Sequence, residues 1–175
     1  PTNYAFKKLT KNLNLNKDLK KNISLNQVFL SKKNKPTKVW SSWNFDNSNN
    51  KHKQHFGTLH SVKKKSYLSL ANFINLKKIK KVDFIKLDVD GHELDVLKSG
   101  EKFLKDKKPV IFIEIAPYLY PEFGYKCSTL ITYIKKLKYS FYSDELKKIN
   151  DIDSYIKTII HGSSKNFYLI KSYKT

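Results

Sequence analysis

Two strand-length apolar runs, VDFIKLDV (residues 82–89) and PVIFIEIAP (109–117), flank a segment of helical pattern, GHELDVLKSGEKFLK (91–105). Strands joined through a helix lie parallel in one sheet, with a right-handed crossover. The second run is apolar almost throughout and bounded by prolines, the pattern of a central parallel strand. The first run differs. Lys86, Asp88 and Asp90 alternate, so a strand projects all three to one face. Burying charges there is costly unless they are paired, solvated or used. In open α/β sheets, ligands bind beyond the carboxyl ends of the strands. Asp88 and Asp90 lie at one such end, and Glu114 lies near the next. Gly91 permits a tight turn into the helix. Glu93 falls in the first helical turn, where the macrodipole favours an anion.

The rest of the chain extends this α/β pattern. Phe6, Leu9 and Leu13 recur at helical spacing over residues 2–16, with Thr2 or Asn3 as N-cap. ISLNQVFLS (23–31) reads as a short strand. Residues 32–66 are polar, with Trp40, Trp43, Phe45 and Phe56 among them and weak strand signals at KVWSSW and HFGTLHSV. Residues 46–55 are a loop by composition. SLANFINLKKI (69–79) is a helix. Gly100 loosens or ends the first section of the 91–105 helix, which offers Leu94, Leu97, Phe103 and Leu104 to one side. A helix over 127–139, a strand over 139–143, a helix over 151–160 and a strand over 166–172 complete the order. No internal repeat and no second domain is visible.

Composition limits the function classes. The formal net charge is +20, which by itself suggests nucleic acid or an anionic surface. Every basic residue other than histidine is Lys and there is no Arg, whereas phosphate and base recognition usually recruit the guanidinium fork. The Lys runs are short and scattered, so a solvated surface is preferred and no nucleic-acid partner is expected. Cys127 is the only cysteine, which fits a reducing, cytoplasmic setting and a structural thiol. No run approaches the roughly 20 apolar residues of a membrane span.

IKLDVDGHELDVLKSG followed by KPVIFIEI resembles the FkbM family of S-adenosylmethionine-dependent methyltransferases, whose pattern is I-K-x-D-V-[ED]-G-x-E-x-x-V-L-K, then P-x-[IV]-x-x-E. Two further stretches agree: PTNYAFKKLTKNLNLN resembles the family's E-P-x-x-x-x-F-x-x-L-x-x-N, and SYLSLANFI its T-L-D-x-F-I. The resemblance covers most of the chain in order. Asp90 stands where the family usually has Glu, which keeps the charge and shortens the reach. Ala71 replaces the T-L-D aspartate. The resemblance implies a Rossmann-like class I methyltransferase sheet with helices on both faces. It also implies that residues 1–175 are a single partial domain without its N-terminal strands and glycine-rich motif. This portion alone is then expected to bind cofactor weakly or not at all.

The resemblance further implies methyl transfer from S-adenosylmethionine to a hydroxyl on a sugar, polyketide or similar metabolite. Asp88 becomes the acceptor-positioning group or base, next to the cofactor. Asp90 and Glu114 support it, and Lys86 balances their charge. Ser31 matches a family position near the adenine ring. Glu93, in the first turn of the helix, and His92, next to the site but not required by the family pattern, are expected to border the substrate. Two other readings remain open. Asp88-Val89-Asp90 is a D-x-D, a pair that holds a divalent metal in some glycosyltransferases. A Lys-rich nucleic-acid-binding module is the other, and it predicts steep salt dependence. A metal site from His52, His55 and His60 lacks a closed ligand set, so no metal is expected.

Overall fold

The computed structural model describes residues 2–32, 38–41, 58–61 and 67–171. The chain divides into two compact units, Pro1–Leu68 and Ser69–Thr175.

In the first unit, α1 (Asn3–Leu15) begins at Thr2, whose hydroxyl accepts the N–H of Ala5 at 3.3 Å. That bond satisfies one of the helix's orphan donors. A single turn, α2 (Lys17–Lys20), follows and was not foreseen. The strand expected over 23–31 is confined to β1 (Phe29–Leu30). The hairpin strands β2 (Lys38–Ser41) and β3 (Thr58–Ser61) pair antiparallel, with Val39 opposite His60. β4 (Tyr67–Leu68) lies parallel to β1. Strand structure extends only where a partner exists, and here that is two residues long. The Phe29 and Tyr67 rings meet edge to face at 5.3 Å, and Val39 is buried in the same cluster. Trp43, Phe45, Phe56, His52, His55 and the 46–55 segment lie outside the described residues.

The second unit opens with α3 (Leu70–Leu76), capped by Ser69, whose hydroxyl accepts the N–H of Asn72 at 3.0 Å. Ala71 therefore leaves the helix start capped, because the cap lies two residues earlier. Next come β5 (Phe84–Leu87), α4 (Glu93–Ser99), α5 (Glu101–Lys107) and β6 (Val110–Ile115). Gly100 separates α4 from α5, and a Cβ there would lie 2.5 Å from Leu70 Cδ2. Ser99 accepts the N–H of Leu70 at 3.0 Å and donates to Val96 O at 2.7 Å, which ties α3 to α4. A 3-10 helix (Tyr120–Phe123), α6 (Cys127–Lys136), β7 (Ser140–Tyr142), β8 (Lys148–Ile149), α7 (Ile152–Lys157) and β9 (Lys165–Ile170) complete the unit.

The sheet order is β5-β6-β9-β7-β8. β5 and β6 are parallel, the expected β-α-β relationship. β9 inserts antiparallel between β6 and β7, and β7 pairs antiparallel with β8. β6 is thus an interior strand of a mixed sheet, parallel to one neighbour only. An apolar run reports burial, not the direction of the next strand, so the pattern alone did not reveal this.

Burial alternates along β6. Ile111, Ile113 and Ile115 are fully buried, as are Phe167 and Leu169 opposite them on β9. Each such side chain contributes about 1.5–3 kcal/mol relative to an exposed one. The other face carries Lys86, Phe112 and Tyr168 in lateral register. The Phe112 and Tyr168 rings are 4.6 Å apart, with Lys86 Nζ 6.0 Å from the Phe112 centroid. The carboxyl ends of β5 and β6 and the amino end of β9 therefore meet at one end of the sheet.

Candidate active site

β5 stops at Leu87, two residues before the end of the expected strand. The backbone then turns sharply, with Asp90 at φ +48° and Gly91 at φ +93°. Asp tolerates the left-handed region better than most side chains, and glycine does so freely. At Gly91 a Cβ would sit 2.2 Å from the Phe123 ring. Lys86 and Asp88 share one face as alternation requires, but Asp90 leaves the strand and belongs to the turn.

Glu93 organises this turn from inside. Its Oε1 accepts the N–H groups of Val89 and Gly91, both at 3.3 Å. Tyr125 holds the next peptide of the turn, its hydroxyl donating to Gly91 O at 2.7 Å. Glu93 is 2% exposed, and its Oε2 has no hydrogen-bond partner among the described residues. Burial pushes its carboxyl up to about 7, against the N–H bonds that favour the charged form. His92 is buried too, with its ring 4.4 Å from that of Phe123. The structure thus places Glu93 and His92 within the turn, not on the open carboxylate face.

Asp88 and Glu114 do come together. Leu87 is in register with Ile113, so the next residues of the two strands adjoin. Their carboxyls lie close enough to act on each other's charge. Asp88 also pairs with Lys86 at 2.5 Å. Partial burial works to raise Asp88, but bonds from Lys86 and Glu114 and the Lys86 charge bring it below the usual carboxylate range. Glu114 moves the other way. Burial, the bond with Asp88 and the charges of Asp88 and Asp90 raise it, against a bond from Ser164. The two carboxyls are thus pushed apart, Asp88 toward its charged form and Glu114 toward its neutral one.

Sequence reading missed Ser164 and Tyr118, which act on or are acted on by Glu114, and His161 beside Tyr118. Ser164 donates to Glu114 Oε1 at 2.5 Å. Tyr118 has its hydroxyl raised by burial and by the charges of Glu114, Asp90 and Glu122. The His161 ring lies 6.3 Å from that of Tyr118. None sits in a recognisable motif, and only the sheet order brings Ser164 beside Glu114. Ser31 belongs to the first unit, where it is buried and its N–H donates to Leu68 O at 2.8 Å.

Other features are chemically quiet. Burial pushes the Cys127 thiol up to about 12, which removes its nucleophilic form at neutral pH. Among the described residues no group of three or more His, Cys, Asp or Glu could hold a metal ion. The side chain of His60 is not described, so the triple-histidine grouping lies outside what the structure covers.

A family model described as the Methyltransferase FkbM domain matches residues 1–141, most of the chain. That span includes β5, its acidic turn, α4 and β6. Neither a curated protein nor a solved structure matches the chain. The chain is a member of the FkbM methyltransferase family and therefore an enzyme of methyl transfer.

Proposed function

We propose that the carboxyl ends of β5 and β6 form an O-methylation site that uses S-adenosylmethionine, on a Rossmann-like sheet. The adjoining carboxyls of Asp88, paired with Lys86 and lowered, and of Glu114, bonded by Ser164 and raised, carry this reading. S-adenosylmethionine carries an electrophilic methyl group on a positively charged sulfur. Carboxylates from Asp88 and Asp90 suit that charge, so the residues present fit the cofactor. Asp88 accepts the proton that the acceptor hydroxyl loses as its oxygen is methylated. Glu114 adjoins Asp88 and favours its charged form. Lys86 offsets the negative charge, and Asp90 orients the acceptor. His92 and Glu93 serve the substrate indirectly, by holding the turn that presents Asp88 and Asp90.

The acceptor class is a hydroxyl on a small molecule or glycan, such as a sugar or polyketide. Three carboxyl groups and a tyrosine at the rim disfavour an anionic acceptor. The single cysteine fits a cytoplasmic setting. Among the described residues no helix is long and apolar enough to cross a membrane.

The test is methyl transfer to a panel of neutral sugars and polyols, read as the mass gain of one methyl group, by the protein expressed from its full coding sequence. Asp88→Asn is expected to lower kcat by about 100-fold or more, the usual size of a lost general base. Unchanged kcat in that variant would overturn the role of Asp88. Transfer confined to amines would overturn the O-methylation reading.

A further inference from the structure

The family match ends at residue 141, yet a side chain touching the carboxyl pair lies well beyond it. Ser164 reaches Glu114 Oε1 from the loop between α7 and β9. Topology makes this contact possible. β9 runs antiparallel to β6, so its first residues lie against the last residues of β6. Glu114 faces Asn166, and Ile115 faces Lys165. A chain entering β9 must therefore pass the carboxyl end of β6, which the sheet order sets beside β5.

Ser164 answers a specific geometric need. The last torsion of a glutamate is broad, with no strong rotameric preference. A carboxyl on a half-buried sheet face can rotate away from its neighbour unless something fixes it. A hydroxyl that donates to one oxygen fixes that rotation and hence the direction in which Glu114 meets Asp88. The groups facing Glu114 are Asp88 and Asp90 after β5, with Lys86 behind Asp88, and Tyr118 after β6. Of the residues bonded to Glu114 through a side chain, Ser164 is the one that carries no charge in either direction.

We propose that Ser164 is a positioning residue of the methyl-transfer site, supplied by the segment beyond the family match, and that it holds the Glu114 carboxyl against Asp88. The proposal rests on the methyl-transfer reading of that pair. It gives Ser164, at the entry into β9, a part in the site and makes that entry more than a connection.

Carboxyl carbon NMR titration of Asp88 and Glu114 tests it without cofactor or acceptor. Ser164→Val removes the hydroxyl at the volume of Ser164→Thr, which keeps it. In Ser164→Val, Glu114 is expected to bind its proton about tenfold more tightly, the effect of losing one hydrogen bond to the charged form. Ser164→Thr restores the native titration. Ser163→Ala is the control. Its hydroxyl donates to Ile160 O within the same loop, and its loss leaves the pair unmoved. Unchanged titration in a folded Ser164→Val variant overturns the proposal, as does an equal shift in Ser163→Ala. If valine disturbs the loop, Ser164→Ala repeats the comparison. The expected shifts in a protein that transfers no methyl group would sink the reading of function and leave the Ser164–Glu114 coupling standing.

Discussion

Glu93 accepts the backbone N–H of Gly91 at 3.3 Å while itself lying 2% exposed to solvent. A buried carboxylate is retained only where it does something apolar packing cannot. Here it satisfies two N–H groups in a backbone too sharply bent for strand pairing.

Stability should therefore depend on pH through Glu93. Its folded value is about 7, against an ordinary 4.5. The folded state binds the proton more tightly, so its contribution is full below 4.5 and is lost as pH rises through about 7. The loss amounts to roughly 3 kcal/mol across that window. Glu114, also raised, acts with the same sign. Denaturant unfolding between pH 4 and pH 8 measures the slope, and Glu93→Gln should flatten most of it. A wild-type profile that rises over the same range would remove Glu93 as a dominant titrating group.

Gly91→Ala should be poorly tolerated for two separate reasons. The left-handed φ strains an alanine, and the new Cβ overlaps the Phe123 ring. Together these cost about 2–4 kcal/mol. Gly162 provides the comparison, because its φ is also positive but a Cβ there meets nothing within 4 Å. Gly162→Ala should cost only the conformational part, about 1–2 kcal/mol. Thermal unfolding of the two variants separates strain from steric overlap.

Tyr125→Phe removes the hydroxyl that donates to Gly91 O at 2.7 Å. The ring remains stacked on Tyr120, with centroids 4.9 Å apart. Loss of the hydrogen bond alone should cost about 1 kcal/mol. Because Gly91 lies in the turn that follows Asp88 and Asp90, activity should fall more than stability does. A drop in kcat at unchanged Tm would show that; equal small losses in both would assign Tyr125 to packing alone.

Much of this architecture was legible in the sequence because local signals agreed with tertiary ones. The spacing of Leu94 and Leu97, the break at Gly100 and the run from Val110 to Ile115 each led to the element observed. Asp88 and Glu114 were placed together because a β-α-β unit brings the carboxyl ends of its strands side by side. Other features depend on distant partners. β1 and β4 are two-residue strands that only each other's presence defines. The insertion of β9 between β6 and β7 is a choice of neighbour, to which hydrophobic pattern is blind. Ser164, His161 and Tyr118 are ordinary loop residues until that choice is made. Glu93 showed its place at the helix start but not its burial, since a carboxylate in a first turn is usually solvated.

The most direct test of the central claim is calorimetric titration of S-adenosylmethionine into the protein expressed from its full coding sequence, beside its Asp88→Asn variant. The account predicts saturable binding of one cofactor per chain, weakened roughly tenfold when the carboxylate facing the sulfonium is neutralised. Absence of binding to the wild type, or equal affinity in both proteins, would contradict a methyl-transfer site at the ends of β5 and β6.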